Sequence, residues 1–447
     1  MDHRLGASLA ASICAALVVG CSSNDPGTGG STGGTTTTAP PSGGLAYYRN
    51  IKPIFDAKCA SCHVDGGIAP FSVATYADFQ PYLSLIKQKV ESKEMPPWLA
   101  DDECTDYVAD RSLDAEQIKA IGDWVDQGGV EGDPKDEGAP LDVGPTYALS
   151  RVDMNLPIPV EYLQNKEPDD YRCFVIDWPK TETTYVTGFR ANPGNAQVVH
   201  HVIAFLAPPA QVDKVKQLDD ADPGEGYTCF GGAGFNEAAW LGAWAPGTQG
   251  TDYPIGTGIK IEPGSKVILQ VHYNTLTAGK QKDRTSVDFK LDAQVAREAV
   301  IQPWTNIQWL TNKPSMKIPA FAPDTMHSFT YDPTKYLTGN KPFLMYSANL
   351  HMHQLGTKAK LTIKRQDGSE DCLLDIPRWN FHWQGSYGFP APKTFNPGDK
   401  VYLECHWDNT PPMQPIIDGK PQMPKDVFWG EGTTDEMCLG GFYMTDP

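Results

Sequence analysis

Basic residues are scarce in this chain. Its 447 residues hold 37 Lys+Arg against 55 Asp+Glu, a formal net charge of −18. Such a surface repels phosphates instead of neutralising them, which argues against a nucleic-acid partner. Long apolar runs are missing as well: the charge-free stretch from Leu5 to Gly20 is too short for a permanent membrane span. No internal repeat recurs at a solenoid period. With 42 Gly and 38 Pro, long helical bundles are excluded and turns between short strands are expected. What the chain does have is apolar bulk. Hydrophobic residues make up 40%, with 11 Trp, 18 Tyr and 17 Phe, enough for real cores in two or three domains.

Arg4 and the apolar run after it read as an export signal over residues 1–20. The run ends in Val18-Val19-Gly20-Cys21, which resembles the bacterial lipobox, where the cysteine becomes a lipid anchor. Residues 21–44 are a Gly/Ser/Thr/Pro tether with no core-forming residue. The expected location is the bacterial cell envelope, with Cys21 holding the chain to a membrane. Cys14 leaves with the leader, and the cysteines beyond Cys21 meet an oxidising compartment that permits disulfides and covalent haem alike.

Residues 45–135 form the first expected domain, small and all-α. Cys59-Ala60-Ser61-Cys62-His63 is a C-x-x-C-H motif, the attachment signature of c-type haem. Two thiols at this spacing reach two vinyl groups, and the adjacent imidazole reaches the iron. Tyr47 to Lys58 reads as an amphipathic helix into the motif, and Leu113 to Gln127 as a closing helix with Ser112 as N-cap. Met95, in Met95-Pro96-Pro97-Trp98, resembles the Met of small bacterial cytochromes c and is the expected sixth ligand, a thioether that raises the potential. An acidic, turn-rich stretch, Gly128 to Gly144, follows as a linker.

Beyond it the pattern changes to short β-rich runs such as Val198 to Leu206, Ser265 to Tyr273, Leu344 to Met352 and Val401 to Trp407. Antiparallel sandwiches or barrels are expected. Five of the ten histidines fall in strand-like settings: His200-His201, His272, and His351-Met352-His353. Residues i and i+2 of a strand share a face, so His351 and His353 can converge on one metal. Adjacent His200 and His201 point to opposite faces unless a bulge intervenes. Imidazole suits copper and zinc, and spacing alone does not separate them.

Four ordered segments over residues 150–447 resemble the copper type II, ascorbate-dependent monooxygenases. They are Val199-His200-His201-Val202; Leu269 to Tyr273 around His272, preceded by Ala243 to Gly247; His351 to Gly356; and Asp435-Glu436-Met437-Cys438 after Gly430-Glu431-Gly432. The resemblance implies tandem jelly-roll-like β sandwiches, here residues 146–295 and 296–447, with one copper each facing a solvent-filled cleft. It implies that His200, His201 and His272 hold an electron-transferring copper. It also implies that His351, His353 and Met437 hold the catalytic one, where O₂ hydroxylates a small substrate. Disulfides Cys173–Cys229 and Cys405–Cys438 follow from the same likeness. Cys104 and Cys372 are left over, and the sequence leaves open whether they are free or paired.

Departures from the pattern bear on substrate. The peptide-specific branch carries Arg two residues before its H-x-H, where this chain has Asn349. It carries Asn and then Tyr after the Met-Cys, where this chain has Leu439-Gly440-Gly441. Peptide amidation is therefore not expected, nor, with Pro447 last, a separate lyase domain. The expected function is an exported copper monooxygenase with two coppers and one haem c, fed by ascorbate or a redox protein. The rival is a non-catalytic electron-transfer or copper-binding protein.

Overall fold

A computed structural model describes residues 44–447 except 66–68, 143–147, 230–231, 236–237, 245–249, 276–277, 418–419, 431 and 433. The export signal, Cys21 and all but the last residue of the tether lie outside the described residues, as do positions 245–247 of the motif before His272. No helix among the described residues is long and apolar enough to cross a membrane.

Helices alone build residues 45–135. A π-helical turn, Tyr47–Ile51, runs straight into the α-helix Lys52–Lys58, and Ile51, Ile54 and Phe55 recur at helical spacing on its buried side. The closing helix, Ala115–Asp126, starts later than expected, and its N-cap is Asp114 instead of Ser112. The Asp114 carboxylate accepts from the Gln117 N–H at 2.8 Å while the Gln117 side chain accepts from the Asp114 N–H at 3.1 Å. This reciprocal pair fixes the first turn, and a serine two residues earlier does not reach it. Rings of Tyr47, Phe55, Phe79 and Trp124 meet at centroid spacings of 5.0 to 6.3 Å, a core of tilted and edge-on aromatic contacts. The acidic stretch that follows folds back on this core: the Tyr47 N–H donates to the Val130 carbonyl and the Gly138 N–H to that of Tyr48.

The rest is mainly β. In the first sandwich, Met154–Pro157, Ser286–Asp292, Thr184–Asn192 and Thr257–Ile261 form one layer. Ala239–Trp244, Val199–Ala207, Lys266–Asn274, Asp169–Asp177 and Tyr227–Thr228 form the other. Alternating residues such as Val202, Val267, Leu269, Val287 and Phe289 fill the space between them. In the second sandwich, an antiparallel sheet of Thr325–Tyr331, Lys400–Trp407, Gly356–Lys364 and Glu370–Ile376 shares a core with the strands Phe343–His351, Ser386–Phe395 and Leu439–Thr445. The strand Arg297–Trp304 pairs with Leu439–Thr445 and touches Ala239–Trp244 through Ile301 and Trp240, so hydrogen bonding runs from one sandwich into the other. The expected strands are present, with ends shifted by about a residue.

Three disulfides staple the fold: Cys173–Cys229, Cys405–Cys438 and Cys104–Cys372. The first two are the pairs implied by the resemblance. The third settles the leftover cysteines and ties the segment after Met95 to the strand Glu370–Ile376. Around it, Trp98 and Tyr107 are buried in the core of the second sandwich, with their rings 5.0 and 5.4 Å from that of Tyr387. The Asp101 and Val108 N–H groups donate to the carbonyls of Asp375 and Gly388. The helical unit thus lends part of its chain to the second sandwich.

Replacing Cys104 and Cys372 together by Ser is expected to remove about 2–5 kcal/mol of stability. The same change should open residues 92–112 to proteolysis. Thermal unfolding and mapping of the first cleavage sites check this, and an unaltered cleavage pattern would show that packing alone seals the seam.

Candidate metal centres

Strands Val199–Ala207 and Lys266–Asn274 pair in antiparallel register, with Val199 opposite Tyr273 and His201 opposite His272. Two residues of one strand thus answer one of the other, and His200 is the extra residue of a β-bulge. The bulge cancels the alternation that would send neighbours to opposite faces. As a result, one ring nitrogen each of His200, His201 and His272 lies within 4.8 Å of the others.

The arrangement fits a metal on three further observations. His272 donates from Nε2 to Asp169 Oδ1 at 2.8 Å, which turns its Nδ1 lone pair inward to within 3.3 Å of His201 Nδ1. Two imidazole nitrogens bound to one tetrahedral ion at about 2.0 Å are separated by about that much. His200 Nδ1 is buried with no hydrogen-bond partner among the described residues, a cost unless it meets a ligand. Tyr171 stacks on His272 at 3.9 Å and fixes the ring plane. Burial holds His200 down to about 4 and His201 and His272 far below the usual imidazole range, so all three are neutral and able to ligate at pH 7. Gln270, on the same strand as His272, donates to the Cys229 carbonyl at 2.7 Å.

His351 ends its strand, and His353 follows on the same side, with ring centroids 5.1 Å apart. His351 Nδ1 faces Gln384 Oε1 at 2.6 Å, and His353 Nδ1 faces the Asp435 carbonyl at 2.9 Å. Both acceptors hold the proton on Nδ1 and leave Nε2 for a ligand bond. Burial lowers His353 to about 3 and lowers His351 as well. Met437 sits in a clamped segment. On one side, Glu436 accepts from the backbone N–H groups of His353 and Leu355 and from the Trp407 indole, at 2.9, 2.7 and 2.7 Å. On the other side, Cys438 is bonded to Cys405 and Leu439 pairs with His351. Burial pushes Glu436 up to about 8 against the pull of those three donors.

Glu436 was not singled out from the sequence, because a lone Glu beside a motif gives no sign of burial. Nor was Phe381. Its ring stacks on His200 at 4.9 Å and lies 6.1 Å from that of His353, so one side chain adjoins both clusters. His382 beside it is exposed. His327 bonds the Lys317 carbonyl, and His406 bonds Asp324 and Glu404; neither joins a cluster.

In the helical unit, Cys59 caps the first helix, and the Cys62 and His63 N–H groups donate to its carbonyl. Both cysteines stand outside the three disulfides. His63 Nδ1 bonds the Phe71 carbonyl at 2.9 Å, which leaves Nε2 as the ring's other nitrogen. Burial raises the Cys59 thiol to about 12, as for a group packed among apolar atoms. Met95 lines a cavity of about 210 Å³ with Val90, Trp98, Leu113 and Ile118, and His63 is not among its walls.

Two family descriptions match: "Copper type II ascorbate-dependent monooxygenase, N-terminal domain" over residues 158–280 and the C-terminal domain of the same family over residues 308–445, together more than half of the chain. The chain belongs to the copper type II ascorbate-dependent monooxygenase family. Its curated relatives in that family are distant. Peptidylglycine alpha-amidating monooxygenase of Rattus norvegicus is 29% identical over 33% of this chain and 15% of its own length. DBH-like monooxygenase protein 1 of Gallus gallus is 23% identical over 54% and 38%. Tyramine beta-hydroxylase of Caenorhabditis briggsae is 24% identical over 65% and 47%. The chain thus spans less than half the length of each. Among solved structures, PNGF-II matches at 10% identity over 66% of this chain and 65% of that one, with a TM-score of 0.26, a likeness too slight to argue from.

Neutral buried histidines give the metal-free protein a pH dependence of definite sign. Unfolded, His200 and His353 take up protons near pH 6.5; folded, they stay neutral until about 4 and 3. Between those values the unfolded state binds more protons, so stability falls as pH falls from 6.5, by about 1.4 kcal/mol per unit for each such histidine. Denaturant unfolding of metal-free protein at pH 7 and pH 5 should show the loss, and His200→Gln should show less of it. Equal losses would mean that other groups set the acid limit.

Proposed function

We propose that this chain is a copper-dependent monooxygenase that hydroxylates a C–H bond of a small organic substrate with O₂, its electrons supplied through a c-type haem on the helical unit. The observation that carries the reading is the convergence of His200, His201 and His272 on one point, with the His351–His353 pair and the clamped Met437 segment on the far side of Phe381. When bound, the two coppers supply one-electron chemistry and the Lewis acidity that O₂ activation needs. The side chains do the rest. Three neutral imidazoles form an all-nitrogen set of borderline hardness, suited to handing electrons on. Two imidazoles and the Met437 thioether form a softer set that favours Cu(I) and leaves a position open. Asp169, Gln384 and the Asp435 carbonyl orient the rings from behind, as outer partners of metal-bound histidines do.

For the haem, the support is the C-x-x-C-H turn itself, with His63 held by Phe71 so that Nε2 points away, and Met95 as the remaining ligand. Ascorbate or a redox protein would refill it. Asn349 bears on the substrate. It pairs with Gly441, and a Cβ on that glycine would collide with the Asn349 carboxamide. An amide thus fills the position where a peptide-specific site keeps a cation, and a buried substrate carboxylate would go uncompensated. A small amine or other partly apolar molecule fits better than a glycine-extended peptide.

Metal analysis of the holoprotein is expected to give two coppers and one haem iron per chain, with O₂ uptake under ascorbate that a true substrate accelerates. Met437→Ile should abolish that uptake and spare the three-His copper. Copper that cycles without consuming O₂ would favour the electron-transfer rival.

The location rests on the lipobox-like Val18 to Cys21 and on disulfides that need an oxidising compartment. In a bacterial host, Cys21→Ser should move the chain from washed membranes to the soluble fraction, and a variant still sedimenting with membranes would place the anchor elsewhere.

A further inference from the structure

Residues 377–384 leave the strand Glu370–Ile376 just past the Cys104–Cys372 bridge, and four of their side chains reach other parts of the molecule. At the near end, Pro377 and Arg378 share the cavity wall with Met95, and the Arg378 guanidinium donates to the Ser92 and Lys93 carbonyls of the helical unit. One residue on, the Trp379 indole donates to the His353 carbonyl at 3.1 Å. Phe381 then stacks on His200 and adjoins His353. Gln384 closes the run on His351. Residues 378–384 therefore run from the loop just before Met95 to both histidine clusters through bonds, hydrogen bonds and ring contacts.

The geometry points to residues 377–384 as the route by which electrons cross from the helical unit to the copper sites, with Phe381 as the side chain that couples the route to both. This rests on the haem-fed reading above. Tunnelling is carried far better by bonded and closely packed atoms than by gaps filled with water. The disulfide and the buried Trp98 and Tyr107 hold the two ends of the route in one arrangement, so no diffusional docking precedes the transfer. The step itself is one electron: ferrous haem becomes ferric, a cupric ion becomes cuprous, no bond is made or broken and no proton moves.

The test uses the full chain, matured with haem, loaded with copper and kept free of O₂. A light flash with a soluble photoreductant reduces the haem, and its reoxidation by the cupric ions is followed by visible absorption. Phe381→Leu keeps an apolar side chain but removes the ring, and the reoxidation rate should fall severalfold with copper content and the cupric EPR spectrum unchanged. Arg378→Ala, outside both histidine clusters, should also slow it by loosening the near end; it carries the test if the Leu variant loses copper. Wild-type rates in both variants would overturn the route and leave the haem-fed reading standing. Absence of any haem absorption from correctly matured protein would bring down both.

Discussion

A one-residue slip between two paired strands is the constraint on which the first histidine cluster depends. Without the extra residue at His200, His201 and His272 would still face each other, but the third imidazole would point to the opposite face of the sheet. The slip is affordable because the surroundings are over-determined. Long runs of paired residues continue on the far side of it, and Asp169 and Tyr171 on the next strand hold His272 from two directions. Bulges placed beside functional groups in this way re-aim side chains that a regular strand cannot bring together.

The second site solves a different problem. Its histidines come ready on one face, but the segment that holds Met437 lies about eighty residues later and near a chain end, where fraying is the default. A buried carboxylate answers this. Glu436 gathers two backbone N–H groups and an indole N–H that would otherwise be orphaned around the H-x-H turn, and the adjacent Cys405–Cys438 bridge keeps the next residue from drifting. Desolvation opposes the negative charge there, and the three donors are what make the burial tolerable.

Much of this was legible in the sequence, and for identifiable reasons. Strand runs and the helix at residues 47–58 follow from hydrophobic periodicity, and the histidine groups from spacing within those strands. Their convergence was legible only as a condition: a bulge had to exist, and local sequence does not announce one. The helix start at Asp114 was misplaced because two capping residues lay within reach of each other and the reciprocal bond to Gln117 decided between them. Contacts across large sequence separations were not legible at all. Nothing near Cys104 points to Cys372, nothing near Trp98 points to Tyr387, and nothing near Phe381 points to the histidines it adjoins. The C-x-x-C-H run and the lipobox-like Val18 to Cys21 are the reverse case, patterns carried by the sequence alone.

The seam between the helical unit and the second sandwich limits how freely evolution can rearrange this gene. In most multidomain chains a module can be lost, exchanged or split off, because little surface is shared across its boundary. Here the second sandwich borrows Trp98 and Tyr107 for its own interior and shares a covalent bond with the donor. A fragment cut in the linker near residue 148 would keep both histidine clusters, yet it would carry an open apolar slot beside Tyr387 and a stranded thiol at Cys372. Loss of the helical unit would therefore be selected against as a folding defect before any change in chemistry was felt. Descendants of this chain should keep the two parts together whatever becomes of the C-x-x-C-H motif.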